Sequence, residues 1–209
     1  MEATREAILA AAERLYAEHG VHTVSNRQIS IAAGQGNTGA VGYHFGTKAD
    51  LIQAIAQRHT DAIEHLRARM VAEVEEFDGL RQLIACLVRP VTEHLAALGS
   101  PSWYARFNAQ VAADPALYDL MVETANSSPT LLQLRLLLDE WLPDLPSEVK
   151  TVRALMARHL IVQMCVETER SIAAGAPASR LNWQDTATDL IDAVVALWEA
   201  PLTSARGGE

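Results

Sequence analysis

The chain has 209 residues, 49% of them hydrophobic, which is enough for one large domain or for a small domain followed by a larger one. Its net charge of −9 disfavours indiscriminate binding to nucleic acids, and its two lone cysteines, without a C-x-x-C pair, disfavour a disulfide framework. No run of about 20 apolar residues exists and the first residues lack the pattern of a signal peptide, so we expect a cytoplasmic protein without a membrane partner.

Helix-forming residues dominate the chain. Ala and Leu are more prominent than alternating runs of Val, Ile and Thr, which predicts an all-α fold of about nine or ten helices. The first helix is predicted over Ala3–His19, where apolar residues recur at helical spacing, and Gly20 ends it.

Two short helices joined by a glycine-rich turn are predicted next. Ser25 and Gln28 have the spacing of a capping box, in which each side chain binds the backbone N–H of the other. Glycines end this helix, and Asn37 or Thr38 is placed to cap a second one that runs to about His44. This arrangement is a helix-turn-helix, and the polar start of its second helix is the part that enters the major groove of DNA.

The charge of this segment suits DNA although the whole chain is acidic. Between His19 and Lys48 the sequence holds Arg27, Lys48 and three histidines but no acidic residue. Tyr43 and Lys48 flank the second helix and are predicted to contact phosphates, whereas Asn and Gln at its start suit adenine. The predicted DNA-binding residues are Ser25, Arg27, Gln28, Gln35, Asn37, Thr38, Gly39, Tyr43, His44 and Lys48.

The same segment contains a second motif. Residues Gly34–Gly39 read G-x-G-x-x-G, the fingerprint of dinucleotide-binding sites. That site needs a preceding strand and a carboxylate about 20 residues further on, at a strand end. Asp61 has the spacing but falls inside a predicted long helix, so the glycines are better explained as turn positions.

These residues resemble the tetracycline-repressor (TetR) family of bacterial regulators. The matching segments cover about a quarter of the chain and occur in the family's order: Arg5–Tyr16, Glu18–Gly20, Thr23–Ser25, Ile29, Ala32–Gly34, Tyr43–Phe45 and Lys48–Leu51. The chain has one residue more than the usual family spacing between Gly34 and Phe45, which leaves open which of Gln35, Asn37 and Thr38 reads bases.

The remaining helices follow in chain order. A long one from Lys48, capped by Thr47, is predicted to connect a DNA-binding part to the rest of the chain. Asp78 is placed to cap the next, and Pro90 is expected to kink it. The predicted spans are 48–74, 78–98, 102–113, 115–124, 130–142, 147–174 and 182–199.

The last two helices carry apolar stripes that another surface must cover. The stripe of the final helix can pack within its own subunit or against a second copy. In the resembled family these helices form a four-helix dimer interface, so the resemblance favours a homodimer, whose two heads would bind half-sites about 34 Å apart. The predicted interface residues are Val152, Met156, Leu190, Ile191, Val194 and Trp198.

No pattern supports catalysis, a cofactor or a metal ion. The seven histidines do not share helical faces at metal-ligand spacing, and His94 and His159 look isolated on apolar helices, so no metal site is predicted. Aromatic, soft and polar-tipped side chains instead suggest a ligand pocket, although each of them is equally well explained as core. The candidates are Trp103, Tyr104, Phe107, Tyr118, Met121, Trp141, His159 and Met164.

The resemblance therefore predicts a regulator and not an enzyme. We expect a helix-turn-helix domain over residues 1–50 (motif about 25–44), a ligand-binding and dimerisation domain over 51–203, and a tail over 204–209. The expected function is a dimeric repressor that binds a palindromic DNA operator and is released by a small, largely apolar effector. The alternatives are a helical small-molecule or nucleotide-dependent enzyme, and a protein-interaction adaptor that no longer reads DNA.

Overall fold

Every regular element in the described part of the chain is helical, which confirms the predicted all-α class. The computed structural model describes residues 2–119, 128–142, 144–175 and 181–202, and residues 115–119 are helical besides the elements named next. The helices are α1 Glu2–His19, α2 Asn26–Ala32, α3 Ala40–Phe45, α4 Lys48–Ala72, α5 Leu80–Ala97, α6 Tyr104–Ala112, α7 Pro129–Trp141, α8 Ser147–Ala173 and α9 Trp183–Glu199. None of them is long and apolar enough to cross a membrane.

Several helix starts are fixed by local side chains, and those at Ser25 and Thr47 were predicted from the sequence. Ser25 and Gln28 form the capping box of α2. Thr47 and Asp50 form a second box at the start of α4, and the hydrogen bonds from Thr47 hold the pKa of Asp50 below its usual value. Asn182 caps α9 through the backbone N–H of Asp185.

Two predicted caps are wrong because the backbone turns elsewhere. The N-cap of α3 is Gly39, so neither Asn37 nor Thr38 caps it. The N-cap of α5 is Gly79 and not Asp78, whose own N–H is bound by Gln82. Ser147 is the first residue of α8, after an N-cap at Pro146.

Two apolar clusters organise the helices. We call α1–α3 the head and α5–α9 the body; α4 runs from one to the other. The first cluster joins the head to α4, the end of α5, α6 and part of α8, around fully buried residues such as Tyr16, Ile52 and Phe107. The second cluster lies among α5, α7, α8 and α9. The long α4 therefore reaches from the DNA-binding motif into the body, as the sequence indicated.

The apolar stripe of the final helix is buried in its own subunit. Leu190, Ile191, Val194 and Trp198 are each at most 4% exposed and belong to the second cluster, against α5 and α8. The prediction that these four side chains cover a second copy is therefore corrected. Of the two packing alternatives, the one within the subunit applies to them, because α5 already fills that face.

Candidate nucleic-acid interface

The capping box at the start of α2 uses both of its polar side chains locally. The Ser25 hydroxyl oxygen accepts from the Gln28 N–H at 3.3 Å, and Gln28 Oε1 accepts from the Ser25 N–H at 2.8 Å. The Ser25 hydroxyl also donates to Gln28 Oε1 at 2.7 Å. These two residues therefore shape the first turn of α2, and Arg27 between them is exposed.

The turn between α2 and α3 is held by short-range hydrogen bonds. Gly34 has φ +68°, a conformation that side chains with a Cβ rarely adopt. Buried Ser30 donates its hydroxyl to the Thr38 carbonyl at 3.2 Å, across the turn. The Gln35 side chain donates to the Ala33 carbonyl at 3.0 Å. Helix α3 begins only at Ala40, so Gln35, Asn37 and Thr38 all lie in this turn, before the helix.

The turn leaves two polar side chains beside the start of α3. Asn37 and Thr38 are exposed, and Asn37 Oδ1 accepts from the Gly39 N–H at 2.8 Å. That bond fixes the Asn37 side chain and leaves its amide NH₂ as a donor. Gln35 is partly buried and tied to its own turn, so it is less accessible than these two.

Helix α3 turns its apolar side into the head. Ala40, Val41 and Phe45 are buried, whereas Tyr43 is 79% exposed. Arg5 of α1 holds the far end of α3: its Nη1 donates to the His44 carbonyl at 3.3 Å, and its guanidinium lies 4.4 Å from the centroid of the Phe45 ring. Sequence reasoning did not assign this role to Arg5, which is forty residues away from Phe45 and is brought there by the fold.

The ammonium of Lys48 points into the head. Its Nζ donates to the Val21 carbonyl at 2.9 Å and to the Val24 carbonyl at 2.7 Å, and it lies 5.8 Å from the centroid of the buried Tyr16 ring. These bonds clamp the loop before α2 against the start of α4. The structure thus gives Lys48 a positioning role that the predicted phosphate contact did not include.

The predicted pocket residues that the structure describes lie in different parts of the fold. Tyr104 and Phe107 are buried in the first cluster, and Met164 packs against the second. Trp141 and His159 are exposed, and the Tyr118 ring lies 4.6 Å from the Arg158 guanidinium. Met121 lies outside the described residues. Trp103 lines two cavities at the junction of head and body, of about 350 and 170 Å³.

Several buried polar groups are not apparent from the sequence, and Arg67 and His94 are among them. Arg67 of α4 is 5% exposed and donates to Glu64 at 2.9 Å, while its Nε has no partner. His94 is not isolated: its Nε2 lies 2.8 Å from Nδ1 of His59, whose Nε2 lies 2.8 Å from Glu13. Only the fold shows the contacts among Glu13, His59 and His94, because these residues come from three different helices.

Comparison with known proteins agrees with this architecture. Residues 8–55 match the family model of bacterial regulatory proteins of the tetR family. No curated protein matches the chain.

Solved structures of similar fold extend the agreement beyond that segment. The fatty acid degradation regulator FadR from Bacillus halodurans is 17% identical, with a TM-score of 0.67 over 94% of this chain and 95% of that one. A tetR family transcription regulator from Shewanella sp. PV-4 is 20% identical, with a TM-score of 0.61 over 93% and 95%. A TetR-family regulator from Rhodococcus sp. is 16% identical, with a TM-score of 0.54 over 95% and 100%.

At these identities the solved structures establish the fold, while the matched segment is the helix-turn-helix itself. Residues 8–55 are thus similar to the tetR family of bacterial regulatory proteins, and the chain as a whole has the fold of these solved regulators.

Proposed function

We propose that the protein is a dimeric, ligand-responsive transcriptional repressor that binds a palindromic operator and is released by a small, largely apolar effector. The observation that carries the proposal is the exposed polar surface at the start of α3, on a segment without acidic residues between His19 and Lys48. That surface suits the major groove, and the lack of carboxylates suits the phosphates on either side of it.

Within the head, different side chains position and read the DNA. Arg27 and Tyr43 are exposed and are proposed to contact phosphates, with His44 beside them. Asn37 and Thr38 are proposed to contact base edges, because they stand at the start of α3 with free hydrogen-bonding groups. The role of three other residues in this proposal is to hold α2 and α3 in position: Ser25, Gln28 and Lys48.

An exposed apolar stripe on α8 supports dimerisation. Val152, Leu155 and Met156 are 49%, 44% and 51% exposed and share one side of the helix at spacings of three and four. Covering them with the same stripe of a second copy removes apolar surface from water and gives the two-fold symmetry that a palindrome requires. The proposed interface thus keeps Val152 and Met156 and replaces the α9 residues.

The effector site is proposed among α4, α5 and α7, beside the second cluster. The side chains in this region are mostly apolar, and Met70 of α4 and Leu137 of α7 are partly buried against the second cluster. Arg67 is the buried polar group in this region, and its unpartnered Nε is available to a polar atom of the effector. An apolar molecule with one hydrogen-bond acceptor therefore fits the surroundings. The proposed activity is regulation and not catalysis.

Selection of binding sites from random DNA duplexes tests the proposal. The full-length protein should enrich an inverted repeat whose half-sites lie about one helical turn apart. Small apolar compounds are then screened for release of the selected duplex, and Arg67→Met should reduce the response to those that carry an acceptor. Enrichment of no sequence, with an intact fold by circular dichroism, would refute the proposed operator binding.

A further inference from the structure

We propose that Glu13, His59 and His94 form a proton-sensitive link between the head and the body, closed at neutral pH and opened when both histidines are protonated. The link lies outside the proposed DNA and effector sites. Its existence does not depend on the proposed function, although its effect on operator binding does.

The three side chains form one continuous chain of hydrogen bonds. Glu13 Oε2 lies 2.8 Å from His59 Nε2, and His59 Nδ1 lies 2.8 Å from His94 Nε2. Their residues are 7%, 1% and 8% exposed. Glu13 belongs to α1 of the head, His59 to the middle of α4, and His94 to α5 of the body. The chain therefore ties the first helix of the head to a body helix through the connector.

The carboxylate sets the direction of the hydrogen bonds. An ionised Glu13 can only accept, so His59 Nε2 carries the proton that it donates. With His59 neutral, Nδ1 is an acceptor, and His94 must donate from Nε2. One added proton can be held on His59 Nδ1, provided that His94 then accepts at Nε2. A second added proton places N–H groups on both sides of the 2.8 Å contact, which then has two donors and no acceptor.

The surroundings make the second proton costly while the link is closed. Burial, and then the charge of His59, lower the pKa of His94 to about 4, and Arg58 acts in the same direction while Glu13 opposes it. Tyr104 of α6 stacks on His59 at 3.8 Å and carries no charge, since burial raises the pKa of its hydroxyl. Buried Cys165 of α8 is also neutral, because burial raises the pKa of its thiol to about 12.

An open link lets water reach the histidines. The cavity of about 170 Å³ is lined by Glu13 and Arg58 and lies directly beside the carboxylate end of the chain. Once hydrated, His94 returns toward its ordinary pKa of 6.5. For each unit by which the pH falls between 6.5 and about 4, the ratio of open to closed molecules then rises by up to tenfold. Operator binding must then order the released head again. Because this ordering costs free energy, acidic pH should weaken operator binding.

Distance measurements on the free protein test the link without any DNA. Spin labels at Ile31→Cys in the head and Gln133→Cys in the body report the separation; both sites are exposed, and the native Cys86 and Cys165 are buried. Labelled chains are diluted with unlabelled ones so that each distance stays within one subunit. We expect a narrow distribution at pH 7.5 that broadens between pH 6 and 4.5 while helix content is retained.

Matched variants separate the link from general acid effects. His94→Gln can still donate to His59 but cannot titrate, so its distribution should stay narrow; His65→Gln, at an exposed position of α4, should behave as the wild type. A wild-type distribution that stays narrow to pH 4.5, or a His94→Gln distribution that broadens equally, would overturn the proposal.

If His94→Gln does not fold, nitrogen NMR of the histidine rings in the wild type decides. The proposal requires protonated Nε2 on both His59 and His94 at pH 7.5 when His59 is neutral, and a proton on both nitrogens of His59 when it is charged. A His94 ring carrying its proton at Nδ1 beside a neutral His59 would contradict it. The proposed operator binding is tested separately by DNA selection.

Discussion

Lys48 stabilises the head through two backbone carbonyls. Replacing it with Met keeps much of the side-chain volume but leaves the Val21 and Val24 carbonyls without their charged donor. Hydrogen bonds to charged groups contribute about 1.5–3 kcal/mol each at most, and the loop carbonyls are only partly buried, so we expect Lys48→Met to lower stability by about 1–3 kcal/mol. Urea denaturation measures the change.

Arg27 provides the matched control for Lys48. It is exposed and has no structural bond among those described for the head, so Arg27→Met should alter stability by less than about 0.5 kcal/mol. The substitution should instead weaken binding to all duplexes about equally. It should also reduce the slope of log affinity against log salt concentration by about one per head. If Lys48→Met behaved in this way and left stability unchanged, its ammonium would be a phosphate contact, as first predicted.

Asn37 allows a change of base preference with little change of backbone structure. Asn37→Asp keeps the Oδ1 acceptor for the Gly39 N–H but loses the NH₂ donor that pairs with adenine. A carboxylate accepts from cytosine N4, so one position of each half-site should shift from adenine toward cytosine, by about 1–3 kcal/mol. Repeating the duplex selection measures this. An unchanged consensus with uniformly weaker binding would place Asn37 against the DNA backbone.

Helices and their capping boxes were predictable because they depend on residues three or four apart. The box at Ser25, the cap at Thr47 and the ends of α1 and α4 agree with the sequence to within about two residues. The cap of α3 was not predictable in this way. Its position depends on the Ser30–Thr38 bond and on the Asn37 side chain folding onto Gly39.

The stripe on α8 is the element whose alteration should separate the subunits. Met156→Glu places a charge at the centre of the proposed apolar contact, at a cost of several kcal/mol. We expect dimers for the wild type and monomers for this variant by analytical ultracentrifugation at micromolar concentration. Ala154→Glu, exposed on the opposite side of the same helix, should remain dimeric. A monomeric wild type would contradict the prediction.

The final helix should respond differently from α8. Ile191 is 2% exposed in the second cluster, so Ile191→Glu buries an unpaired charge inside the subunit. Cooperative thermal unfolding should be lost or greatly lowered in temperature, whether or not the chain is dimeric. If circular dichroism showed a normal transition while the dimer dissociated, α9 would be the intersubunit helix after all.

The whole molecule contains contacts that no local pattern reveals. Glu13 and His59 are 46 residues apart, and His59 and His94 are 35 apart. His94, taken alone, had the pattern of an ordinary core residue, and nothing in the spacing paired it with His59. Similarly, the apolar stripe of α9 was visible in the sequence, but whether α5 or a second subunit covers it depends on how the helices are arranged in space.

The buried histidine pair also makes the stability of the whole chain depend on pH. The pKa of His94 is lowered from 6.5 to about 4 in the folded protein by burial and by His59, so between these values the unfolded chain binds the proton more readily. Stability from this group is therefore complete above pH 6.5 and declines as the pH falls toward 4, by at most about 3 kcal/mol.

Urea denaturation at pH 7.5, 6 and 5 measures the decline, with His94→Gln as the control. The variant has no proton to take up at this position, so its stability should fall less steeply below pH 6.5 than that of the wild type. The difference arises from His94 and its coupling to His59, because all carboxylates and the other histidines are common to both proteins. Parallel pH profiles for the two would show that the burial of His94 does not contribute to the acid sensitivity of the fold.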